Sequence, residues 1–88
     1  MTAKWELEAA ALAERISDEL SVGVVRRRVS EKLLALEVEN PRANTKIVSI
    51  LISRHEVLMM RGHRRYELPP LPKSAPKILM ILKDIVKQ

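Results

Sequence analysis

The chain has 88 residues, 47% of them hydrophobic and 31% charged, which is enough for one small core with a solvated shell and too little for two. Sixteen Lys and Arg against eleven Asp and Glu leave a net charge of +5, so polyanions are the natural partners of its surface. No cysteine is present, which excludes a disulfide framework, a thiol nucleophile and Cys-ligated zinc. Two glycines cannot build a Gly-rich phosphate cradle, and no cofactor is expected. No apolar run is long enough to span a bilayer. The opening Met1-Thr2-Ala3-Lys4-Trp5-Glu6 has no apolar signal core, so a soluble cytoplasmic protein is the expectation. Few amides, no Cys and many Arg, Glu and Ile resemble a thermophile's usage.

Charge is uneven along the chain. Residues 1–20 carry a net −3, residues 21–72 a net +5 and residues 73–88 a net +3. The first segment is acidic and is expected to face away from any polyanion.

Trp5, Ala9, Leu12, Ile16 and Leu20 form one helical stripe, and the alanines between them favour a helix from Trp5 to about Leu20, with Thr2 as a candidate cap. Ser21-Val22-Gly23 breaks it. Val25, Val29, Leu33 and Leu36 repeat at helical spacing and predict a second helix over about 22–38, capped by Ser21, with Arg26, Arg27 and Arg28 on its solvent side. Val22-Gly23-Val24-Val25 is also compatible with an extended start, since Gly and β-branched residues disfavour helix. Asn40-Pro41 ends this element. A third helix is expected next, starting at Asn40 or Asn44 and ending near Arg54. It would bury Ile47, Ile50 and Leu51 and show a polar face of Thr45, Lys46, Ser49 and Ser53.

The period then changes. Residues 56–61 and 64–68 flank Gly62-His63, and Gly at the first central position suits a two-residue type II′ hairpin. The register sets Arg61 against Arg64, Met60 against Arg65, Met59 against Tyr66 and Val57 against Leu68. Val57, Met59, Tyr66 and Leu68 then share an inward face. Pro69-Pro70-Leu71-Pro72 predicts a stiff, extended connector. Ser74 is a candidate cap for a last helix reaching about Lys87, whose apolar residues cover more than one face.

Three helices, a two-stranded hairpin and an appended helix resemble the winged-helix branch of the helix-turn-helix DNA-binding proteins. The residues that carry the resemblance are Asn44 to Arg54, a polar-faced helix, followed by Val57 to Leu68, a basic hairpin turned by Gly. It implies a mostly α fold with a small β-hairpin: one domain over 1–88, with core and wing over 5–68, a Pro-rich connector over 69–73 and a C-terminal helix over 74–88. It also implies a transcriptional regulator or other DNA-associated factor. Thr45, Lys46, Ser49 and Ser53 would enter a groove of double-stranded DNA, and Arg61, His63, Arg64 and Arg65 would meet phosphates.

The residues add to this. Four basic-capable groups at a hairpin tip are not needed by a core, and the opposed Arg61 and Arg64 repel one another. Arg27 is a further candidate phosphate contact. Trp5 and Tyr66, the only aromatics, read as core residues rather than a base-stacking platform. His55-Glu56 opens a metal-protease-like spacing, but Met59 stands where the second His belongs. No catalytic constellation or metal set is apparent, and a non-catalytic protein is expected. The apolar last helix points to a homodimer interface of Leu79, Met80, Ile81 and Val86, shared with the first helix. The alternative is a protein-interaction module of a larger assembly, docking through that same helix. No membrane role is expected, and RNA binding is a third class.

Overall fold

The computed structural model describes residues 2–40, 42–43 and 45–87. Its elements are α1 (Lys4–Leu20), β1 (Gly23–Ser30), β2 (Leu33–Asn40), β3 (Thr45–Ile52), β4 (Val57–Arg61), β5 (Arg64–Leu68) and α2 (Ala75–Val86). The five strands form one antiparallel sheet in the order β1-β2-β3-β4-β5, each paired with its chain neighbour. The winged-helix architecture is therefore wrong for this chain: it is a five-stranded meander flanked in sequence by two helices.

The expected second helix, residues 22–38, is the β1–β2 hairpin, and the expected third helix is β3. The reason lies in the spacing. Val25, Val29 and Leu33 are four residues apart, an interval that one helix face and one strand face both satisfy. In β3 the decisive signal is alternation: Val48, Ile50 and Ile52 are buried while Ser49 and Leu51 between them are only half-buried. Ser21 is not a helix start. It takes a left-handed conformation (φ 54°) and closes α1, its N–H donating to the Ser17 carbonyl. The N-cap of α1 is Ala3, not Thr2. The proline segment turns rather than extends, with a cis Leu71–Pro72 bond. Pro41 and Asn44, considered for the start of a third helix, lie outside the described residues.

The two terminal helices agree with expectation, and so does the last hairpin to the residue. Arg61 faces Arg64, Met60 faces Arg65, Met59 faces Tyr66 and Val57 faces Leu68. Gly62 has φ 58° while His63 has no positive φ, as a type II′ turn requires.

The core is the space between one sheet face and the helices. Ala9, Leu12, Ala13 and Ile16 of α1 and Ile78, Leu79, Leu82 and Ile85 of α2 pack with Leu36, Val38, Val48, Ile50, Ile52, Val57 and Met59. Trp5 and Tyr66 are half-buried against this cluster, consistent with their core reading. The alternate strand positions form the other face. Val25, Leu33, Ala35, Leu51, Leu58 and Met60 take no part in the core cluster. Both helices thus cover the same side, and the opposite side of the sheet is left open.

Among the described residues, no helix is long and apolar enough to cross a membrane.

Candidate nucleic-acid interface

An antiparallel meander sends alternate turns to opposite ends. The β2–β3 and β4–β5 connections share one end, here called the lower end. The β1–β2 and β3–β4 turns share the upper end, beside Trp5 and the start of α1.

At the lower end the expected wing keeps its place as β4–β5. His63, Arg64 and Arg65 are exposed and Arg61 is half-buried. Alternation puts the paired Arg61 and Arg64 on the helix-covered side of this ribbon and Arg65, beside Met60, on the open side. Thr45 and Lys46, both exposed, begin β3 at the same end. Arg42, which sequence reasoning missed, joins them from the β2–β3 loop, where its N–H donates to Asn40 Oδ1 at 3.0 Å. Its signal was an Asn-Pro-Arg-Ala-Asn break between two apolar runs, a turn that necessarily lands beside the next hairpin but one.

The other candidates separate. On a strand, Thr45 and Ser53 stand roughly 26 Å apart rather than on one helical stripe. Ser53 lies past the upper end of β3 and holds the β3–β4 turn: its Oγ accepts from the N–H groups of His55 at 3.3 Å and Glu56 at 3.2 Å. Ser49 lies on the open face, where its hydroxyl donates to Glu37 Oε2 at 3.0 Å. Arg27 is also engaged there, 3.2 Å from Glu37 Oε1, and Lys46 Nζ is 2.7 Å from Glu37 Oε2.

Glu37 is the second residue that sequence reasoning missed. It is a nearly buried carboxylate directly opposite Ser49 and next to the β1 edge. The Lys46 hydrogen bond holds its pKa below the ordinary carboxylate value. Burial opposes this, and the Ser49 hydroxyl and the Lys46 and Arg27 charges add to the lowering. A lone Glu inside the run Leu36-Glu37-Val38 was the available signal, because a carboxylate there must find partners.

The cations of the sheet and its turns are used differently, with Arg26, Lys32 and Arg54 exposed and, among the described residues, without an ion pair away from the lower end. Arg27 and Lys46 serve Glu37, and Arg28 pairs with Glu6 of α1. Among the described residues, Arg42, Arg61, Arg64 and Arg65 make no ion pair, and they share one end of the molecule. Among those residues there is also no group of three or more His, Asp or Glu able to hold a metal.

The proposed helical interface is largely spent. Leu79 is 4% exposed and belongs to the core, and Ile81 is half-buried against it. Met80 and Val86 remain exposed.

Comparison with protein-family models, with curated proteins and with solved structures finds no match for this chain.

Proposed function

We propose that this is a non-catalytic nucleic-acid-binding protein that meets double-stranded DNA with the lower end of its sheet. The reading rests on one observation: Arg42, Arg61, Arg64 and Arg65 gather at that end with no carboxylate partner among the described residues, whereas Arg27 and Lys46 of the open face both serve Glu37. Opposing Arg61 to Arg64 costs the hairpin a few tenths to about 1 kcal/mol, a cost that phosphate would relieve. A two-stranded ribbon has the width of a major groove. Entering one, it turns both its faces toward flanking phosphates, Arg61 and Arg64 toward one backbone and Arg65 toward the other. Thr45, Lys46 and Arg42 border the ribbon and extend the contact. A DNA-associated or regulatory role follows from such binding.

Titration of a short labelled duplex at several salt concentrations tests this. Four neutralised phosphates give a log–log salt slope of about −3.6. Arg64→Ala with Arg65→Ala should weaken binding by about tenfold or more and make the slope shallower by about 2. The variant should melt no lower than the parent, since a like-charge pair has been removed. Absence of binding at low salt, or an unchanged slope in the variant, refutes the reading. Stronger binding to RNA than to a DNA duplex of equal length moves it to the RNA class.

A further inference from the structure

The open sheet face is patterned to receive a second copy of itself, and the geometry points to a face-to-face homodimer whose two-fold axis runs along β3. The strand registers lay two rows of side chains across this face. One row reads Arg27, Ala35, Leu51, Leu58, Glu67 from β1 to β5. The other reads Val25, Glu37, Ser49, Met60, Arg65. A two-fold axis parallel to the strands and passing over β3 reverses each row onto itself.

In the first row the consequences are complementary at every position. Leu51 meets Leu51 of the partner subunit on the axis. Ala35, the smallest side chain of the row and only 1% exposed among its longer neighbours, forms a depression above which Leu58 of the partner subunit sits. Arg27 at one rim meets Glu67 of the partner subunit, and the second rim repeats the pair. Glu67 has no ion-pair partner within the described residues, and the Arg27 side chain is 66% exposed despite its contact with Glu37. In the second row Ser49 lies on the axis, and flexible Met60 covers Glu37, whose charge Lys46, Ser49 and Arg27 already satisfy. At the rim of this row the aliphatic stem of Arg65 crosses the exposed Val25 of the partner subunit with its guanidinium left at the edge. An axis perpendicular to the strands would instead set β1 against β1, a strand without a carboxylate, and leave Arg27 with no acidic group opposite.

The area suffices. Five strands about 4.8 Å apart, paired over about five to eight residues, offer roughly 500 Å² per copy, so on the order of 1,000 Å² is buried in total. That is the threshold of a specific interface and predicts a micromolar rather than a permanent dimer. Aligned sheet packing within about 30° keeps the central positions superposed. The axis also places both β4–β5 tips at the same end of the dimer, roughly 18 Å apart.

Sedimentation equilibrium of the full chain tests the proposal. The parent should dimerise with a micromolar dissociation constant. Leu51→Glu, which places two carboxylates on the axis, should raise that constant about a hundredfold. Met80→Glu on the exposed side of α2 should leave it unchanged. Glu67→Arg and Arg27→Glu should each abolish the dimer alone, and an equimolar mixture of the two should form a heterodimer, because both rims then pair opposite charges. Thermal melts of each variant establish that it is folded. Should Arg27→Glu unfold beside Glu37, Leu58→Glu replaces it as the dissociating variant. A monomer at all concentrations, a dimer that survives Leu51→Glu or Leu58→Glu, or folded charge variants that fail to form the heterodimer overturns the assignment. Arg64→Ala, on the helix-covered side of the ribbon and outside the dimer face, should weaken duplex binding and remain dimeric, so this proposal and the nucleic-acid reading can fail separately.

Discussion

Glu37 shows how one residue ties the open face together. Both neighbouring strands reach it: Arg27 from β1, and Lys46 and Ser49 from β3, while Glu37 itself sits on β2. Its folded pKa is lowered, chiefly by the Lys46 hydrogen bond. The unfolded chain holds a Glu near about 4.3. A group with a depressed folded pKa stabilises the fold above its unfolded value, and that contribution disappears as pH falls through the folded pKa. Glu37→Gln keeps an acceptor for Ser49 but loses both ion pairs. It should lower stability at pH 7 by about 1 kcal/mol, a modest figure because Lys46 and Arg27 are largely solvated. Urea unfolding at pH 7 and at pH 3 measures the difference, which should shrink at the lower pH. A difference that is equal at both would mean that the charge of Glu37 contributes nothing.

At the scale of single elements, the β4–β5 hairpin is the part whose sequence and geometry agree throughout. Gly62 is required by conformation and not by space: a Cβ there would meet no heavy atom within 4 Å, but φ is +58°. Gly62→Ala should therefore cost about 1–2 kcal/mol, through strain at the turn alone. Denaturant unfolding should show a lower midpoint with an unchanged slope. The hairpin was legible because a type II′ turn has a residue requirement and its register aligned two apolar sets. The first three strands carried no such marker. Ser30-Glu31-Lys32 turns the chain without Gly or Pro, and the bulge between Arg28 and Ser30 blurs the alternation there. In β2, Leu33-Leu34-Ala35-Leu36 is apolar on both faces, so neither period dominates. What remained readable was composition: β3 is rich in β-branched residues, which favour strand over helix. The candidate site was legible only at the wing and at Thr45 and Lys46. The rest failed because a stripe of hydroxyls on a helix becomes, on a strand, a line that runs from one end of the sheet to the other.

The whole molecule is sided in shape and in charge. The net −3 of residues 1–20 lies almost wholly on α1, over the covered face, and the net +5 of residues 21–72 lies in the sheet and its turns. The net +3 of residues 73–88 offsets the acidity of α1 on the covered side, so the surplus positive charge of the molecule equals that of the sheet and its turns. The apolar surplus of α2 has a different explanation from the one its sequence suggested. A helix beside a neighbouring helix and above a sheet buries two adjoining flanks, so its apolar arc is wide without any external partner. Ile78 and Leu82 are fully buried, Leu79 and Ile85 nearly so, and Met80 is 53% exposed. Two substitutions on this one helix distinguish an internal from an external use of that surface. Leu82→Ala empties a closed site and should cost about 2–5 kcal/mol. Met80→Glu changes a solvated position and should stay within about 0.5 kcal/mol of the parent. Equilibrium unfolding at two protein concentrations is the measurement: if α2 packs on its own sheet, the loss in Leu82→Ala is the same at both. A cost for Met80→Glu that grows with protein concentration relative to the parent would instead place α2, and not the open sheet face, between two copies.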